Sequence, residues 1–155
     1  MTTLSGALAA IRSAITANVP SHPQTHQPLP IGWLGDDALV LPDVPSPFVY
    51  TLFDANRSGV IENGGGRGAN RHRSSGVATI LVFVPIGAGL QVATDFAEVF
   101  AAVFRPFKQG GVTCDAVTVY PGGPGSSISV PGLDSEAANY FWAACDVEFY
   151  FDLIG

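Results

Sequence analysis

The stretch Gly76-Val77-Ala78-Thr79-Ile80-Leu81-Val82-Phe83-Val84 constrains this chain more than any other. It is almost wholly apolar and rich in β-branched residues, which suits a strand covered on both faces. It is therefore predicted to be a central strand. Pro85-Ile86-Gly87-Ala88-Gly89 breaks the run, and Val92, Phe96, Val99, Phe100, Val103, Phe104 and Phe107 then recur at helical spacing. This predicts a helix to Phe104, with Asp95 and Glu98 near its start, where the helix dipole favours anions, and Pro106 at its end.

A strand, a glycine turn and a helix in succession raise the question of a phosphate site. The dinucleotide fingerprint needs G-x-G-x-x-G and the P-loop needs G-x-x-x-x-G-K-[ST], whereas this turn offers only Gly87-Ala88-Gly89 with no lysine after it. The plainer reading is a turn that opens an amphipathic helix, and nucleotide binding ranks well behind it.

With 155 residues, 47% of them hydrophobic and only 13% charged, the chain has ample material for the core of one domain, 1–155. No apolar run approaches the roughly 18 residues of a membrane-spanning helix, and no signal-peptide pattern opens the sequence, so the protein is expected in the cytosol when made. Cys114 and Cys145 fall in apparent strands without CxxC spacing and read as buried free thiols. A net charge of −6 argues against a sequence-specific nucleic-acid binder, which normally displays a broad basic face.

The placement of charge says more than its sum. Arg57, Arg67, Arg71 and Arg73 flank the stretch from Glu62 to Ser75, which holds Gly64, Gly65, Gly66 and Gly68 and almost nothing apolar. Such a segment cannot pack a core. It is either ordered by a partner, with glycines allowing close backbone approach, or a solvated hairpin tip with incidental arginines.

Towards the beginning of the chain, Thr2 or Thr3 can cap a helix whose stripe is Leu4, Leu8, Ile11 and Ile15, closed by Val19-Pro20. His22 and His26 are spaced i, i+4, but the prolines from Pro20 to Pro30 forbid the helix that would let them share a metal, leaving a loop over about 20–30. A short strand is expected between Ile31 and Leu41, with Trp33 as a packing residue. Phe48-Val49-Tyr50-Thr51-Leu52-Phe53 is a second strand, paired with Gly76–Val84 across the arginine-rich loop. Val112–Tyr120 is another, followed by a Gly, Pro and Ser-rich loop over about 121–138. In the last stretch Phe141, Ala143, Cys145, Val147, Phe149 and Phe151 alternate with Tyr140, Trp142, Asp146, Glu148, Tyr150 and Asp152, as in an antiparallel strand with one buried side. The order describes an α+β fold: two helices packed on a mostly antiparallel sheet, a single domain with two long loops.

No constellation carries chemistry. The three histidines lie in expected loops, no Ser-His-Asp or Cys-His set can be assigned, and Asp36-Asp37 reads as a solvated turn. The sequence therefore implies no catalytic residue, no cofactor and no metal.

The amino-terminal helix, the early strand, the loop bearing Arg71 and Gly76, the strand Val77–Val84 with Pro85-Ile86-Gly87-Ala88-Gly89 and helix Leu90–Phe104, and late strands with a tryptophan together resemble the phage tail terminator and tail-completion proteins of long-tailed bacteriophages. The segments 20–30 and 121–138 have no counterpart in that pattern. The resemblance implies a structural virion protein. Its subunits would form a hexameric ring capping the tail tube at the head-proximal end, stopping tube polymerisation and joining the tail to the head connector. It implies as partners a second copy, the tail tube protein and the connector or stopper protein, with DNA passing through the lumen without specific binding and no membrane. On that reading Arg67, Arg71, Arg73, Trp142 and Tyr150 are candidate interface residues, the arginines forking onto carboxylates of a neighbour. The alternatives are a head–tail adaptor or stopper, another minor tail protein, and, further off, a small nucleotide-binding protein or enzyme.

Overall fold

The computed structural model describes residues 2–62, 68–133 and 136–154. Among them, helix α1 (Leu4–Ala17) is followed by strands β1 (Ile31–Trp33), β2 (Phe48–Glu62) and β3 (Arg71–Pro85), then helix α2 (Leu90–Phe104). Strands β4 (Lys108–Gln109), β5 (Val112–Pro124) and β6 (Tyr140–Ile154) complete the chain, with single 3-10 turns at Gly125–Ser127 and Ala137–Asn139. The six strands form one sheet in the order β1-β2-β3-β6-β5-β4, and every pairing except β1 with β2 is antiparallel. The fold is α+β, two helices on a mostly antiparallel sheet, with β3 inside it as its composition demands.

The helices share one face. Thr3 caps α1, its hydroxyl accepting from the Gly6 N–H at 3.1 Å, and Ala7, Ile11 and Ile15 face the sheet. On α2 the buried seam is Ala93, Ala97, Ala101, Phe100 and Phe104, while Val99 stays exposed. The stripe is thus centred on alanines, whose small side chains let the helix lie close to the sheet. Asp95 and Glu98 do not sit in the first turn: Asp95 accepts from Gln91 one turn before it, and Glu98 pairs with Arg105 at 3.1 Å. Gly87 and Gly89 take φ of 99° and 93°, a left-handed region that glycine enters at little cost, and so reverse the chain between β3 and α2.

The opposite face of the sheet is not the solvated side that the alternation of the last strand suggests. A second core of Phe48, Tyr50, Leu81, Phe83, Val130, Leu133, Tyr140 and Ala144 lies there, flanked by Leu39, Leu41, Ile128 and Trp142. Its cover comes from two segments without regular structure, 34–47 and 128–133, and the Tyr140 hydroxyl accepts from the Ser46 N–H at 3.4 Å. The 121–138 stretch is therefore no simple loop: β5 continues to Pro124, and Val130 and Leu133 are buried. Only further along β6, from Asp146, does that face become polar.

The loop expected over 62–75 is likewise shorter. β2 runs to Glu62 and β3 starts at Arg71, so Arg71, Arg73 and Ser75 are strand residues registered against β2 and β6. A strand needs only pairing partners to satisfy its backbone, and β6 supplies them out to Ile154 even where side chains are polar. Residues 63–67, and with them Arg67, lie outside the described residues. The segment 20–30 is a turn held by a bridge between Ser21 and Pro28 with Leu29 buried, and the short strand that follows it is β1.

Candidate interface

At the end of the sheet where the β2–β3 hairpin projects, Arg71 and Arg73 stand on the same side of β3, two residues apart, as strand periodicity requires. Asp152 is directly opposite Arg73 on β6, and Tyr150 is two residues before it on the same side. Arg73 forks onto Asp152, Nε to Oδ1 at 2.8 Å and Nη2 to Oδ2 at 3.1 Å, and its guanidinium carbon sits 4.1 Å above the Tyr150 ring. Arg71 donates from Nη2 to the same carboxylate at 2.5 Å and reaches Glu62 with its other nitrogen at 3.5 Å. Lys108 and the Gly110-Gly111 turn form the far wall of a shallow depression of about 330 Å³ over this cluster. Hydrogen bonds from Arg73, and then from Arg71, hold the Asp152 carboxyl at about 2, below its ordinary 3.8. The same bonds raise both guanidinium groups.

Because the folded carboxyl titrates below its unfolded value, its contribution to stability is complete above 3.8 and is lost as pH falls through about 2. Urea midpoints should therefore fall across that acid interval, and Asp152→Asn should flatten this part of the profile. An unchanged profile in the variant would mean that the cluster does not stabilise the fold.

Of the candidate interface residues, the structure brings Arg71, Arg73 and Tyr150 together. Both arginines engage a carboxylate of their own chain, where a neighbour's was expected. Trp142 lies ~26 Å along β6 from Tyr150, eight residues at strand rise. There its ring packs over Gly122 and stands edge-on to Tyr120 at 6.3 Å, and its Nε1 donates to Ser127 Oγ at 3.0 Å. It closes the second core.

A second feature was not legible as a site. Leu4, Ser5, Leu8, Ala9 and Arg12 of α1 and Trp33, Leu34 and Phe53 beside them line an apolar groove of about 450 Å³ along the outer edge of β2. The Trp33 and Phe53 rings lie parallel, 6.2 Å apart, and the Arg12 guanidinium covers Trp33 at 4.5 Å while pairing with Asp36. The signal available in the sequence was Leu34, an aliphatic residue just before the turn Gly35-Asp36-Asp37, and it is half exposed.

Among the described residues no three of His, Cys, Asp and Glu converge as metal ligands. His22 Nδ1 accepts from the N–H groups of Gln24 and Thr25, so it shapes its own turn. Cys114 and Cys145 are free, and burial pushes both thiols up to about 12. Neither should react with Ellman's reagent in the folded protein at mildly alkaline pH, and both should react in denaturant; fast labelling of the native state would contradict this. No helix among the described residues is long and apolar enough to cross a membrane.

No protein-family model matches the sequence, and no curated protein does. Among solved structures 12 chains match. One of them is 15% identical and superposes with a TM-score of 0.56, the match covering 96% of this chain and 97% of that one. At that identity the likeness shows the fold alone, over its whole length.

Proposed function

We propose that the protein is a non-enzymatic virion component, a tail terminator. Its subunits close into a hexameric ring on the head-proximal end of a phage tail tube, end tube growth and present a surface to the head connector. The sequence resemblance is the source of this reading, and the observation that carries it is the pair of open sheet edges. Among the described residues, β1 and β4 are so short that β2 and β5 each keep an unpaired flank on opposite sides of one sheet. A lone subunit gains nothing from two such edges, which invite association, whereas a repeating assembly can use both. On this reading DNA passes the ring without specific binding, in keeping with an acidic chain whose Arg71 and Arg73 are paired with Asp152 and Glu62.

Light scattering and negative-stain imaging of the purified protein, alone and with tail tubes, test the proposal. Closed rings, and labelled subunit at the head-proximal tube end, are the expected results. A protein that stays monomeric at high concentration and leaves tube length unchanged would refute it.

A further inference from the structure

The ladder fixes the direction of the free backbone groups on the two open edges. The Val49 N–H donates to Pro30 at 2.8 Å and the Thr51 carbonyl accepts from the Leu34 N–H at 3.0 Å, so odd-numbered residues at this end of β2 point away from β3. Two-residue alternation extends the series to Phe53 and Ala55, beyond the last residue that β1 covers. Carried across the sheet through the registers Phe48 with Phe83, Val82 with Ala143 and Cys145 with Val119, the same alternation turns Val117 and Val119 outward on β5. The regular part of each free edge is short: a bulge follows Ala55 on β2, and on β5 a bulge precedes Ala116 and an irregularity follows Pro121.

The β2 edge is also backed by the groove along α1. An open edge with an apolar groove beside it is the arrangement for strand addition, in which main-chain bonds supply attachment and the groove supplies selectivity. We infer that its occupant is β5 of a second copy. This rests on the ring reading and names the surfaces that make the ring. Each regular stretch offers two outward N–H groups, Phe53 and Ala55 on one edge and Val117 and Val119 on the other, and the edges lie on opposite sides of one sheet, so joining them head to tail uses both on every subunit. α2 overlies β5 on the helix face, the face that also carries the groove, so in the joined pair it stands beside the neighbour's α1 and not across the sheet from it.

Two substitutions and one direct readout test this. Ala55→Pro removes an outward N–H without breaking a bond to β3, and Leu34→Glu places a charge in the groove from an exposed position. Each should weaken self-association by ~10-fold or more in sedimentation, given what one lost hydrogen bond or one poorly solvated charge costs, with unchanged circular dichroism. Independently of any variant, hydrogen exchange in the wild-type protein should slow at Phe53 and Ala55 and at Val117 and Val119 together as concentration rises. Rings that form with no change at these amides, or that both variants leave intact, would overturn the edge assignment while leaving the tail-terminator reading standing. Protection at β2 alone would mean another occupant and would also overturn it. A wild-type protein that never associates would sink both.

Discussion

Replacing Phe83 with alanine should lower the stability of the fold by about 3–5 kcal/mol, a large part of the roughly 5–15 kcal/mol that holds a domain of this kind together. Phe83 is fully buried in the central strand, on the face away from the helices, stacked on Phe48 with ring centroids 4.7 Å apart and planes 6° apart. Tyr140 meets Phe48 edge-on at 5.2 Å, and the irregular cover bearing Val130 and Leu133 closes over the group. Truncation leaves a cavity that those covering segments, anchored at many points, cannot fully refill. Urea unfolding followed by circular dichroism measures the effect, with Val40→Ala, 90% exposed in the same cover, as a control expected to stay within about 0.5 kcal/mol. A Phe83→Ala loss as small as the control's would mean that the second core is not a packed unit.

The second large effect is expected at Gly76. A Cβ there would lie 2.7 Å from Cζ of Phe149 and 2.8 Å from the Asp54 carbonyl oxygen. Phe149 is buried and the carbonyl belongs to a paired strand, so neither can move aside freely. Gly76→Ala should cost roughly 1–3 kcal/mol through overpacking. Gly76 is registered with Ala55, beside the β2 bulge, so the strain falls where the hairpin leaves the body of the sheet. A double-mutant cycle with Phe149→Ala separates the two contacts. Removing the ring should recover only part of the loss, because the carbonyl contact remains. Full recovery would assign the whole penalty to the ring, and no penalty in the single variant would refute the tight approach.

The elements whose signal is local were legible in the sequence. The apolar β-branched run of β3, the Thr3 cap of α1, the helical spacing of α2 and the alternation of β6 each arise from a residue's own conformational preference or from the period of one element. What was lost depends on contacts distant in sequence. Alternation alone puts Tyr140 and Trp142 on the polar side of β6, because Asp146, Glu148 and Asp152 share their parity, yet Ala144 has that parity too, and it is buried in the same cluster as Val130 and Leu133. Nothing in the pattern of β6 reveals that two proline and glycine-rich segments cover one end of it. Arg71 and Arg73 looked like loop residues because a polar stretch carries no hydrophobic period, and they are in strands because β6 continues beside them. Their partner, Asp152, lies about eighty positions away, beyond the reach of any spacing rule. The groove was invisible for the same reason, since it joins α1 to Trp33 and Phe53.

The place of β6 in the sheet has a consequence for how the protein comes into being on the ribosome. It is synthesised after every other strand, yet it lies between β3 and β5, pairing with both along nearly their whole length. While it is still being translated, the nascent chain can form the β2–β3 hairpin and the two helices, but β3 and β5 have no partner between them. The sheet is completed by insertion into its middle and not by growth at an edge, and the helix-side core closes with it, since Ala143, Cys145, Val147, Phe149 and Phe151 all come from that strand. Long-range pairing of this kind is slow to nucleate, and an unfinished chain with two apolar strands exposed is vulnerable to aggregation and to nascent-chain chaperones.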